Sequence, residues 1–158
     1  MEEKVPMTQQ GYLRMQEELK KLKFQDRPSI LAAIEEARGH GDLSENAEYH
    51  AAREQQSFTE GRILELENAL SRAQVIDTKT LSGNKVLFGA TVNVSDLDTF
   101  EKHTYQVVGP YEANLEAGRL SNQSPLAKAL IGKSLGDIVE VDTPKGTKSY
   151  EILTIDFV

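Results

Sequence analysis

Apolar positions in the first half of the chain recur at helical spacing. Thr8 can cap a helix N-terminus, and Tyr12, Leu13, Met15, Leu19 and Leu22 follow it. Pro28 interrupts the run, with Asp26 nearby as a capping group, so a kink or short break is predicted near 25–28 and a new helical segment is predicted to open at Pro28. The pattern resumes at Ile30, Leu31, Ile34 and Ala37 and stops at Gly39 and Gly41. A second helix is predicted from about Leu43 to Ala73, with Phe58, Ile63, Leu66, Leu70 and Ala73 as its apolar face. The last four are spaced 3, 4 and 3, which is heptad-like. Gly61 inside this helix costs about 1 kcal/mol relative to Ala, so the helix relies on a partner. A short connection makes the two helices antiparallel neighbours. About 30 residues rising ~1.5 Å each give a rod of roughly 45 Å.

The pattern changes after Ile76. A polar stretch from Thr80 to Lys85 carries a Gly-Asn turn signal. Val86-Leu87-Phe88, Ala90 to Leu97 and Tyr105 to Val108 then read as strands. Ser124 to Gly132 reads as a short helix, with Ser124 as cap, Pro125 at its first position and Gly132 as its stop. Asp137 to Asp142 and Ser149 to Phe157 alternate like two more strands. The class is α+β: an antiparallel two-helix coiled coil over 1–77, then a globular domain over 78–158 with a mostly antiparallel sheet.

Composition narrows the function. The 158 residues contain no cysteine, which excludes disulfides and thiolate metal sites and fits a reducing cytoplasm. Three scattered histidines disfavour a structural zinc site. No apolar run is long enough to span a bilayer, and the N-terminus lacks the pattern of a signal peptide. Net charge is −7, with acid in excess in both halves. Such a chain is a poor autonomous binder of nucleic acid, because counterion release needs clustered Lys and Arg.

The candidate chemistry lies between the helices. Asp42 and Glu45 are spaced as a capping box, and acids in a helix's first turn suit its dipole. Two carboxylates at an exposed tip are equally the ligands that Mg²⁺ takes when it keeps several waters and leans on a second macromolecule. Spacing alone leaves both readings open.

The run Ala37-Arg38-Gly39-His40-Gly41-Asp42-Leu43-Ser44-Glu45-Asn46-Ala47-Glu48-Tyr49-His50-Ala51-Ala52-Arg53-Glu54-Gln55-Gln56 resembles the tip of the bacterial Gre transcript-cleavage factors, in the GreA type. The resemblance continues through Glu60-Gly61-Arg62-Ile63, Ala73 to Asp77, Phe88 to Val92, Ser124 to Ala127 and Leu130 to Lys133. It covers essentially the whole chain in order. It implies an N-terminal antiparallel coiled coil and a C-terminal domain similar to the FKBP fold. It also implies that the chain binds bacterial RNA polymerase, with the globular domain at the rim of the secondary channel and the coil reaching toward the active centre. At the matching positions, Asp42 and Glu45 would help hold a second Mg²⁺ jointly with the polymerase and orient a water against the backtracked RNA 3′ segment. The chain would then be a catalytic component and not an enzyme alone.

Other positions carry two readings each. Arg38 and Arg53 face the RNA, as basic residues do in Gre factors, or pair with Glu35 and Glu54. Asn46 supports the tip loop or a water, and Tyr49 supports the tip or packs on the coil. His40 acts in proton transfer or stabilises the turn. Ser124 and Pro125 belong to the polymerase-docking surface or only start a helix. The six aromatic residues of the globular half, Phe88, Phe100, Tyr105, Tyr111, Tyr150 and Phe157, show no converging pocket in the sequence. The competing functions are a noncatalytic channel-binding regulator and a coiled-coil chaperone, the latter at odds with a polar tip. The free chain is expected to be a cytoplasmic monomer.

Overall fold

Strand β1 (Val5–Thr8) runs directly into helix α1 (Gln9–Lys21). The Thr8 hydroxyl caps the helix as expected, accepting the Gly11 N–H at 3.1 Å. A computed structural model describes residues 3–41 and 46–158. They form two compact units, one over 12–73 and the other over 3–11 with 74–158. The second unit therefore includes N-terminal residues that the sequence pattern assigns to the coil, because β1 pairs with β2 (Ala73–Ile76). Neither short strand is visible in the apolar pattern.

In the first unit, α1 leads through a π-turn (Leu22–Asp26) into α2 (Arg27–Arg38), and α3 (Ala47–Ser71) returns antiparallel to it. The break expected at Pro28 is this widened turn. Arg27 N–H donates to Leu22 O, five residues back, and the backbone stays helical. Asp26 is therefore helical and makes no capping bond, and Pro28 is the second residue of α2.

Ile30, Ile34 and Ala52 form a buried cluster between α2 and α3, with Tyr49 packed against it. Further along α3, Thr59, Ile63, Leu66 and Ala69 are buried. Phe58 was expected on this face and is instead exposed, one position off the seam that Thr59 occupies. Among the described residues, three charged pairs cross between the helical segments: Arg62 with Glu18, Arg27 with Glu60, and Lys23 with Glu67. The first two are bidentate, with bonds of 2.8–3.0 Å.

The second unit holds a five-stranded sheet. Its strands are β3 (Thr91–Asp96), β4 (Lys102–Val108), β5 (Arg119–Ser121), β6 (Ile138–Thr143) and β7 (Gly146–Asp156), in the order β5-β4-β3-β7-β6. All neighbours are antiparallel except β4 and β5. The α+β class read from the sequence is the architecture found. Alternating residues of β3 and β6 send Val92, Val94, Val139 and Val141 into one core with Val107, Ile152 and the Ala127 and Leu130 side chains of α4 (Pro125–Leu130). The opposite face carries a polar row in which Asn93 bonds both Thr104 and Thr154 on the flanking strands.

Val86 to Phe88, expected as a strand, joins no strand of the sheet and instead meets the chain after α4. Val86 N–H donates to Lys133 O and Gly132 N–H to Val86 O, and Gly89 at φ 89° turns the chain into β3.

Glu112, only 6 % exposed, ties β1 to this unit. Its carboxylate accepts the Thr8 N–H at 3.0 Å, the Gly109 N–H at 2.9 Å and the Thr8 hydroxyl. A Cβ at Gly11 would collide with that carboxylate at 1.8 Å, so glycine is required there.

Candidate functional site

Helix α2 ends where the sequence predicts. Gly39 N–H returns to Glu36 O and His40 N–H to Ala37 O, both at 3.1 Å, and Gly41 adopts φ 108°. Across the connection, Asn46 is the N-cap of α3, extended at φ −85° and ψ 99°. Its Oδ1 accepts the Tyr49 N–H at 3.0 Å. Its Nδ2 donates to Ala37 O at 2.7 Å. One side chain thus caps the incoming helix and bonds the last turn of the outgoing one. Asp42 and Glu45 lie outside the described residues, as does their proposed capping box. The described helix meets its own N-cap requirement with Asn46.

Around this clamp, Tyr49 is half-buried against Ile30, Ile34 and Ala52, so it packs on the coil. His40 Nδ1 lies 3.3 Å from Glu48 Oε2, which closes the mouth of the hairpin with a second polar contact. Glu48 also sits in the first turn of α3, where a carboxylate meets the helix dipole favourably. Arg38 and Arg53 are exposed, and neither pairs with Glu35 or Glu54 among the described residues. Two guanidinium groups therefore flank the hairpin end and face solvent. Among the described residues no cluster of three or more His, Asp or Glu could hold a metal.

In the second unit Ser124 is the N-cap of α4. Its hydroxyl accepts the Ala127 N–H at 3.3 Å and donates to Ser121 O at 2.8 Å, with Pro125 in the first turn. Ser124 and Pro125 also stand on the wall of an open, mainly apolar groove of about 550 Å³. Tyr105, Leu115, Arg119, Leu126, Val141 and Pro144 complete much of its lining. Burial pushes the Tyr105 hydroxyl above its ordinary pKa. The sequence shows no such convergence, because the groove draws on β4, β5, α4 and the turn after β6, up to about 40 residues apart. The only local signal was the Ser-Pro helix start on its wall.

Two family models cover the chain. One, described as the N-terminal part of a transcription elongation factor, matches residues 5–75, and the other, the GreA/GreB C-terminal part, matches 81–157. The transcription elongation factor GreA of Rhodospirillum rubrum is 61% identical over 155 residues, covering 98% of this chain and 99% of that protein. The GreA of Phenylobacterium zucineum is 58% identical over 156 residues, covering 99% of each. Among solved structures, the GreA factor homolog 1 protein of Thermus thermophilus is 30% identical and matches with a TM-score of 0.45, covering 97% of this chain and 99% of that one. Among the described residues, no helix is long and apolar enough to cross a membrane.

Proposed function

We propose a mechanism from one premise: the chain belongs to the GreA/GreB family of transcription elongation factors. It binds bacterial RNA polymerase, and its helical hairpin enters the secondary channel. There it stimulates cleavage of the backtracked RNA 3′ segment and returns a new 3′ end to the active centre. It acts as a catalytic component supplied to the polymerase, not as an enzyme alone.

Asp42 and Glu45 would hold a Mg²⁺ ion jointly with the polymerase. A hard divalent cation prefers carboxylate oxygens and readily takes one or two of them with water and a partner's ligands completing its shell. When bound, Mg²⁺ lowers the pKa of a coordinated water and neutralises charge on the phosphate. The residues of this chain bring the carboxylates to the reaction and orient them. Arg38 and Arg53, exposed on either helix, suit the phosphates of the extruded RNA. The Ser124–Pro125 wall and its groove suit docking to the rim of the channel, since exposed apolar surface rimmed by polar groups marks protein-interaction sites.

The observation that carries this reading is the N-cap. Asn46 supplies a capping oxygen of α3 and also bonds Ala37 O, so a neutral side chain caps the described helix at Tyr49 N–H. The test pairs Asp42→Asn and Glu45→Gln with a transcript-cleavage assay on a stalled, backtracked bacterial polymerase. Thermal unfolding and polymerase binding are measured beside it. Loss of stimulated cleavage with folding and binding intact is expected. Full cleavage by both variants, or none by the wild type, would leave a noncatalytic channel binder.

A further inference from the structure

We infer that the π-turn at Leu22–Asp26 is a one-residue insertion in a coiled-coil helix, which keeps the inward seam of α2 in phase with that of α1 and which Pro28 prevents from closing into an α-turn.

The inward positions show the slip. Tyr12, Leu19 and Asp26 are seven apart and at least half-buried, as are Met15 and Leu22. Seven beyond Leu22 stands Ser29, which is exposed. The next buried residue is Ile30, eight beyond Leu22, and Ala37 follows it by seven. The heptad frame therefore gains one residue between 22 and 30. In an uninterrupted α-helix one surplus residue turns everything after it by roughly 100°, which would carry Ile30, Ile34 and Ala37 off the seam. The π-turn absorbs the surplus: Arg27 N–H reaches Leu22 O, five residues back instead of four.

Two further features hold the turn where it is. The bidentate pair Glu18–Arg62 fixes the helix to α3 on its N-terminal side, and Arg27–Glu60 fixes it on its C-terminal side. The surplus residue cannot slide toward either end without breaking one of them. Pro28 supplies no N–H, and in a regular α-turn its ring would press on the carbonyl of Phe24. Phe24 itself, at the centre of the turn, is 71% exposed, so its side chain does not hold the turn open.

The test uses three deletions in the full chain: Phe24 alone, Phe24 with Pro28→Ala, and Ala32 with Pro28→Ala. Pro28→Ala alone is the reference. Ala32 is exposed and lies in regular α-helix, where nothing takes up a missing residue. Thermal unfolding and amide exchange across 20–40 are read. The Phe24 deletion with Pro28→Ala is expected to melt no lower than the reference, with slower exchange across 22–30. The Ala32 deletion is expected to lose about 5 °C or more, because it displaces Ile34 from the seam. The Phe24 deletion alone is expected to melt below its Pro28→Ala counterpart. If removing Phe24 costs as much as removing Ala32, the turn is not a surplus residue. If Pro28→Ala does not improve the Phe24 deletion, the proline does not block closure. These are folding readouts, so they stand whether or not the chain stimulates cleavage.

Discussion

Asn46 makes two bonds with opposite ends of one amide, so three substitutions separate them. Asn46→Ala removes both. Loss of the cap bond to Tyr49 N–H costs about 1 kcal/mol. Loss of the 2.7 Å bond to Ala37 O costs about 0.5–1 kcal/mol, at the low end because His40 N–H still satisfies that carbonyl. The sum, about 1.5–2 kcal/mol, corresponds to roughly 3–8 °C in the melting of a chain this size. Asn46→Asp keeps a capping oxygen and gains from the helix dipole, yet points a lone pair at Ala37 O where an N–H stood. Asn46→Ser keeps the cap but is too short to make the bridge. Both keep the cap and should therefore lose less than Asn46→Ala, about 0.5–1 kcal/mol for the missing bridge. Stimulated cleavage should behave differently, because displacing a reacting group by about 1 Å can cost about 100-fold. All three variants are expected to lose cleavage by tenfold or more, with polymerase binding unchanged. Differential scanning calorimetry and single-turnover cleavage of a backtracked complex give the two readouts. Full cleavage by Asn46→Asp and Asn46→Ser would refute the bridge as a positioning element. An unchanged melting temperature for Asn46→Ala would refute the cap energetics.

Three other outcomes follow from the described side chains. Glu112→Ala leaves the buried Thr8 and Gly109 N–H groups without their acceptor and is expected to cost about 2–4 kcal/mol in urea unfolding. Gly11→Ala should be comparably damaging in the wild type and milder beside Glu112→Ala, a coupling that a double-mutant cycle measures. The Asp96 carboxyl is held below its ordinary pKa, chiefly by the Asp98 N–H and then by that of Thr99. It therefore contributes stability above the usual aspartate pKa, lost as pH falls through the depressed value, and Asp96→Asn should flatten that acid limb of a stability–pH profile.

The apolar periodicity made the helices legible because each needs an inward stripe, and the stripe shows wherever it stays in phase. It failed at 22–30, where the frame slips by one residue and a proline follows. The sequence there reads as a break, whereas the backbone keeps its helix and widens one turn. Phe58 misled for a related reason: hydrophobicity marks the general face, but the buried place beside it belongs to Thr59. In the sheet unit, β3, β6 and β7 alternate cleanly and were readable, while β1, β2 and β5 are only three or four residues long and gain order from their neighbours. Glu112 could not be found from spacing, since its partner Thr8 lies 104 residues away along the chain. The groove beside Ser124 is hidden for the same reason.

The hairpin end poses a conflict between folding and chemistry. The first turn of α3 needs an oxygen acceptor, and Ser, Asp, Asn and a carboxylate three residues on are the residue types that supply it. A metal-assisted reaction needs carboxylates too, but it needs them unengaged. A carboxylate spent on backbone N–H groups has fewer free lone pairs and a lowered basicity, and would have to give up its cap to take a cation. Asn46 eases that competition at one N–H of α3, because it is neutral, accepts the Tyr49 N–H with its oxygen and donates from its amide to Ala37 O. Its donor half also explains why the amide and not a carboxylate is suited to this position: Asp can cap but cannot donate, whereas the amide does both here. The spacing of Asp42 and Glu45 reads both as a capping box and as a pair of cation ligands. Asn46 fills the N-cap of the described helix, and the proposed shared Mg²⁺ would give Asp42 and Glu45 a role beyond capping.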